Sequence, residues 1–144
     1  MTDIEVLGKP ITEGSTSAFA VKRKNGKYGA VVTHQSSADL QGWRMRIAEA
    51  YVNAGGTKID GAVAIMMQFR FLRPKSVSVK KRPHHTVKGD LDKYVRAVGD
   101  ALTGYAYDDD AQIVHISAMK RYCDEGEMEG AFIRVVPFGG EDFQ

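Results

Sequence analysis

GAVAIMMQFRFLRP, residues 61–74, is apolar at nearly every position and closes on a proline. A strand exposed on one face alternates apolar with polar residues, so a run this continuous is expected to pass through the middle of a sheet, with Pro74 ending its ladder. Working upstream, SSADLQGWRMRIAEAYVNAGG sets Leu40, Trp43, Ile47 and Tyr51 at helical spacing between an N-cap at Ser36 or Ser37 and a stop at Gly55-Gly56. SAFAVKRKNGKYGAVVTH (17–34) predicts a hairpin turning at Asn25-Gly26, and IEVLGKP (4–10) a first strand. Downstream, a second helix is expected from about Asp90 to Gly104, with Leu91, Val95, Val98 and Leu102 as its buried stripe. Asp92, Lys93, Arg96 and Asp100 occupy its other face. AQIVHISAMKRYC (111–123) and GAFIRVVPF (130–138) read as two final strands joined through the acidic loop DEGEMEG. The pattern predicts an α+β fold: a single mixed domain over residues 1–144, a small β-sheet and two main helices.

Composition agrees with one globular domain: 144 residues, 43% apolar and 26% charged. No apolar run approaches the roughly 20 residues of a membrane span, and the first residues lack the pattern of a secretory leader, so a soluble, cytoplasmic protein is expected. One cysteine, Cys123, excludes an internal disulfide and a cysteine-built zinc site. The formal charge of +2 names no partner, but its distribution is uneven. Between residues 70 and 88 stand Arg70, Arg73, Lys75, Lys80, Lys81, Arg82, His84, His85 and Lys88, without a single acid. Pro74 and Pro83 mark much of this as a loop. Alone it reads as a solvated face; because it leads straight into Asp90, it is also read as a phosphate-binding segment that delivers a phosphodiester to the acids beyond. His84 and His85 are open to roles as metal ligands, proton shuttle or exposed DNA contacts.

GDLDKYVRAVGDALTGYAYDDDAQI, residues 89–113, carries Asp90 and Asp92 at the start of the second helix and Asp108, Asp109 and Asp110 after its end. Aspartates at a helix start cap free N–H groups and interact with the dipole, worth about 0.3 to 1 kcal/mol, and an aspartate-rich turn can be merely solvated. Clustered carboxylates beside a basic loop also suit a hard cation such as Mg²⁺, which takes oxygen ligands and can activate water against a phosphodiester. The helix sets a condition on this. At about 1.5 Å per residue its ends lie roughly 20 Å apart, so the clusters meet only if the chain returns along the helix or a partner subunit supplies the second one.

The same stretch resembles the core motif of the RusA family of Holliday junction resolvases, D-x-D-N-L-x-K, then D-A-L-T-G, then D-D-x-Q. Asp90, Leu91 and Asp92 fall on the first element, Asp100 to Gly104 on DALTG, Asp109 and Asp110 on the acidic pair, and Gln112 on the glutamine. GKPITEGS and the tryptophan-bearing helix are more weakly similar to the family's opening. The resemblance implies a Mg²⁺-dependent homodimer, with Mn²⁺ as a substitute, that nicks opposed strands of a four-way junction in DNA recombination and repair in a bacterial or phage-infected cell. It implies Asp90, Asp92, Asp109 and Asp110 as metal ligands, with Asp90, Asp92, Asp110 and Arg96 as the catalytic set. Arg73, Lys75, Lys80, Lys81, Arg82, Lys88 and Lys93 are the expected DNA contacts. Two positions depart from the pattern: Lys93 replaces asparagine, and Arg96 replaces the lysine associated with catalysis. Arginine keeps the charge but stays protonated, so Arg96 is assigned charge stabilisation, against the alternative of an ion pair with Asp92 four residues away. Two other readings remain beside the resolvase: a branched-DNA-binding module without cleavage, and a metal-dependent nuclease for flaps or forks.

Overall fold

The computed structural model describes residues 1–14, 16–22, 26, 28–34 and 37–139. Strands β1 (Thr2–Leu7), β2 (Thr16–Lys22) and β3 (Tyr28–His34) precede helix α1 (Ser37–Asn53), then β4 (Val63–Phe71), α2 (Leu91–Leu102), a 3₁₀ turn (Asp110–Gln112), β5 (Ile113–Tyr122) and β6 (Gly130–Pro137). The fold is α+β as expected, with two helices and a four-stranded mixed sheet ordered β1-β6-β4-β5. The apolar run does occupy the interior of that sheet. β4 pairs antiparallel with β6 and parallel with β5, and β1 pairs antiparallel with β6.

The period-2 geometry of β4 explains why so few of its residues are polar. Val63, Ile65, Met67, Phe69 and Phe71 join one core with Trp43, Ile47 and Tyr51 of α1 and with Tyr94, Val98 and Leu102 of α2. Each such side chain, fully buried, contributes about 1.5–3 kcal/mol. On the reverse face Arg70 is buried, and its guanidinium is satisfied by Glu5 of β1, at 2.9 and 3.3 Å, and by the Met128 carbonyl at 3.1 Å.

Several expectations need correction. The first strand begins earlier than the apolar pattern suggested and ends at Leu7, before Lys9 and Pro10. The last two strands are not neighbours: β4 lies between them, because β5 returns from α2 as a parallel crossover while β6 fills the other side of β4. In α2 the buried stripe is Tyr94, Ala97, Val98, Ala101 and Leu102, whereas Leu91 and Val95 are only partly covered. Small Ala97 and Ala101, invisible to a count of large apolar residues, let the helix lie close. β2 and β3 pair antiparallel as a separate two-stranded sheet. Asn25 of the expected turn and Ser36 of the expected cap lie outside the described residues.

Candidate active site and nucleic-acid interface

β4, the basic segment, α2 and β5 form one parallel crossover, and its geometry fixes where the acids go. Lys120, near the end of β5, donates from Nζ to the carbonyls of Val87 (3.0 Å) and Gly89 (2.8 Å), so that end of the strand lies at the start of α2. Asp90 and Asp92 therefore stand at the C-terminal ends of the parallel strands β4 and β5, where open α/β arrangements commonly bind ligands. Gly89 makes the approach possible: its φ of +107° and the Tyr94 hydroxyl beside it leave no room for a side chain. Tyr94 packs between this turn and Phe69 and Phe71, and burial, followed by the charge of Asp90, raises its pKa above the ordinary tyrosine range.

Asp90 occupies the N-cap position with extended backbone, yet its side chain makes no capping bond. Capping thus does not account for it. Its carboxylate is exposed and 3.9 Å from the Lys93 ammonium, a weak contact. Asp92 and Arg96 are exposed on the next turns, and neither makes a hydrogen bond or ion pair among the described residues, so the Asp92–Arg96 pair is not formed.

The other acids are held at the opposite end of α2. Tyr107 is buried and donates its hydroxyl to the Gly99 carbonyl at 2.7 Å, while the Ile113 side chain lies against the same Gly99. Both flanks of the turn 108–112 are thereby anchored at Gly99. Gln112 shapes the turn itself, accepting the N–H groups of Asp108 (2.9 Å) and Asp109 (3.1 Å) and donating to the carbonyls of Ile59 and Gly61, both at 2.9 Å. Asp108 pairs with Lys58 at 2.7 Å, and Asp109 caps the 3₁₀ turn by accepting the Ala111 N–H at 2.8 Å. Asp110 is exposed and has neither a hydrogen-bond nor an ion-pair partner among the described residues.

Gly99 lies about 13 Å along α2 from Asp90 at 1.5 Å per residue. Oxygens sharing one Mg²⁺ lie at about 2.1 Å from it, hence within about 4 Å of one another. Accordingly, no group of three or more His, Cys, Asp or Glu able to hold a metal ion forms among the described residues. The expected ligands Asp90 and Asp92 form one half-set and Asp109 and Asp110 another, with oxygen chemistry suited to Mg²⁺ but no common position within one chain.

The basic segment, residues 72–90, has no helix or strand, but it is not a loose loop. Arg73 stacks over Tyr122 with its guanidinium carbon 4.2 Å from the ring centroid, and donates to the carbonyls of Ser78, Arg82 and Pro83. Arg82 donates to the Tyr122 hydroxyl at 3.0 Å. Both arginines, expected as DNA contacts, are thus engaged in holding the segment together. Lys75, Lys80, Lys81 and Lys88 are exposed, and Lys93 is half-buried. His84 is exposed, whereas His85 is buried, stacked on Phe71 at 4.3 Å with its Nδ1 unpartnered. His85 is therefore a packing element, and burial, then the nearby Lys120 charge, pushes its pKa below the usual histidine value.

Three features escaped the sequence reading. Lys120 was one, although a lysine in the inward register of β5, between Ala118 and Tyr122, is a recognisable signal for a buried polar anchor. The others are Glu13 and Asp100, both bonded by Arg44. The segment carrying Glu13 is pinned to α2 by the bond from its N–H to the Lys93 carbonyl at 3.0 Å. Burial, then Glu13, raises the Asp100 pKa. This cluster joins the chain after β1 to both helices beneath Arg96, and no local motif announces a contact spanning so much sequence.

An exposed acidic pair at the C-terminal ends of parallel strands, beside a lysine-bearing segment, describes a phosphodiester-processing enzyme. The family comparison specifies which. Residues 10–135 match the model of the endodeoxyribonuclease RusA family, and the chain belongs to that family. It is also similar to the uncharacterized protein YqaN of Bacillus subtilis (strain 168), with 30% identity over 134 residues, covering 86% of this chain and 89% of that protein. Among the described residues no helix is long and apolar enough to cross a membrane.

Proposed function

We propose that this chain is a Mg²⁺-dependent, structure-selective endonuclease that acts as a homodimer in the cytoplasm and resolves four-way DNA junctions by paired nicks. Family membership supplies the reaction class, and the exposed Asp90 and Asp92 at the start of α2 carry the reading. Their carboxylates are not used for capping, which leaves their oxygens available to chemistry. Arg96, one turn beyond Asp92, supplies fixed positive charge toward a phosphate, and Lys75, Lys80, Lys81 and Lys88 track the backbone leading to it. Asp110, unpaired and exposed, is the second acid assigned to catalysis, and Asp109 positions it by capping the turn.

Purified protein incubated with labelled four-way junction or linear duplex, with Mg²⁺ or with chelator, tests this. Cleavage confined to junctions and dependent on Mg²⁺ is expected. Asp90→Asn, Asp92→Asn and Asp110→Asn should each abolish cleavage while leaving junction binding in place, because these variants leave every phosphate-binding cation intact. A variant with wild-type turnover would remove its residue from the site, and equal cutting of linear duplex would refute the junction assignment.

A further inference from the structure

We infer that the cation site is completed across a twofold axis: Asp90 and Asp92 of one copy of this chain combine with Asp110 of a second copy. The inference rests on the nuclease reading above and starts from the disagreement between that reading and the geometry of a single chain. The acid turn is anchored on both flanks to Gly99 by Tyr107 and Ile113, about 13 Å along α2 from Asp90. Gln112 ties it further to Ile59 and Gly61. Seven residues of chain would be long enough to return Asp110 along the helix, but these bonds hold it at the far end.

Symmetry removes the distance. A twofold axis perpendicular to α2 near its middle runs the second α2 antiparallel to the first, so the second copy's acid turn arrives at Asp90 and Asp92. The same operation brings the first chain's Asp110 to the second copy's pair, and two equivalent sites form at once.

An independent feature supplies a surface for this arrangement. β5 is the outer strand of the sheet, with β4 on one side and no partner on the other among the described residues. Its ten residues expose Val114 (57%), Ile116 (43%) and Met119 (44%). A long apolar edge with unpaired backbone groups is a pairing template that soluble proteins rarely leave open. β5 begins at the acid turn and ends near Asp90, since Lys120 is bonded to Gly89. Two β5 edges pairing antiparallel about the same axis therefore carry each acid turn toward the other copy's Asp90. The open edge and the divided acids call for the same symmetry operation.

The test uses two differently tagged full chains, Asp92→Asn and Asp110→Asn, co-expressed and purified as a mixed dimer by both tags. Mn²⁺ binding by electron paramagnetic resonance and junction nicking are read side by side. Each variant alone should bind no Mn²⁺ at this site and cut nothing. The mixed dimer should regain half the wild-type Mn²⁺ stoichiometry and nick one strand, because one of its two composite sites is intact. Wild type mixed with the Asp92→Asn/Asp110→Asn double variant should have no intact site and be silent in both assays. The opposite pattern, with silent mixed singles and a half-active wild-type/double dimer, would place the whole site in one chain and overturn the inference. A chain that cuts while sedimenting as a monomer would overturn it too. Restored Mn²⁺ binding with no cleavage of any DNA, even by wild type, would instead refute the nuclease reading and leave the composite site standing.

Discussion

Gln112 is the residue on which the acid turn depends, and its replacement should be felt out of proportion to its exposure. Its side chain makes four hydrogen bonds, two accepted from Asp108 and Asp109 and two donated to Ile59 and Gly61. Each such bond contributes about 0.5–1.5 kcal/mol net, and because the site is only partly covered, water replaces part of what is removed. Gln112→Ala should therefore cost about 2 kcal/mol, which lowers Tm by roughly 4–8 °C in a domain of this size. Gln112→Glu sharpens the argument: the new carboxylate still accepts, loses both donors, and adds a negative charge beside Asp108, Asp109 and Asp110. It should be less stable than Gln112→Ala at pH 7. Those neighbours raise the folded-state pKa of the introduced carboxyl, so its deficit should shrink as pH falls and protonation removes the charge. Thermal and urea unfolding at pH 7 and 4.5, each variant against wild type, reads both effects. A Gln112→Ala protein melting within 1 °C of wild type would refute the network, and a glutamate variant no worse than alanine at pH 7 would refute its electrostatic part.

Neutralising Lys75, Lys80 and Lys81 to Gln should weaken binding to every DNA and reduce the log-log salt slope by about 0.9 for every phosphate no longer neutralised, whereas Arg73→Gln should mainly lower thermal stability; an unchanged slope in the triple variant would show that these lysines face solvent in the complex. His85 is held neutral by burial, with Lys120 and Arg82 adding to the effect, so its contribution to stability is full above the unfolded-state pKa of about 6.5 and is lost as pH falls through the depressed folded value. His85→Phe should keep the stack on Phe71 and gain stability relative to wild type between pH 7.5 and 5.5 in urea titrations; a constant difference across that range would refute the assignment. Arg96→Ala should lose at least about 10²-fold in single-turnover cleavage while Arg96→Lys keeps substantial activity, and an alanine variant cutting at the wild-type rate would limit the chemistry to the aspartates.

The sheet's central strand, both helices and the acidic motif were legible because each is a local pattern: an uninterrupted apolar run, a 3.6-residue period, or carboxylates in fixed order. What local pattern does not encode is partner choice. Nothing in residues 111–123 or 130–138 says that β4 lies between β5 and β6, since either strand would satisfy its own alternation in a hairpin. The same holds for the site. Asp90, Asp92 and Asp110 could be named from the motif, but the fate of each carboxylate depended on other groups around it: Lys58 on Asp108, and the backbone of Ala111 on Asp109. His85 shows the limit most sharply. Adjacent to exposed His84, in a segment without regular structure, its burial comes from Phe71 and Tyr122, which lie in different strands.

The cations of the basic segment divide along chemical lines. Arg73 and Arg82 face inward because a planar guanidinium with five donors can bond several carbonyls or a hydroxyl and can stack on an aromatic ring, as the two do between them around Tyr122. Lys75, Lys80, Lys81 and Lys88 face outward, each a compact charge on a flexible stem. Reading base edges favours the arginine fork, through bidentate bonds to guanine, and the segment has spent its two forks on its own architecture. What remains exposed is a set of point charges that contact phosphates regardless of sequence. Such a surface recognises where phosphates are placed in space. That property suits an enzyme whose substrate is defined by the crossing of strands.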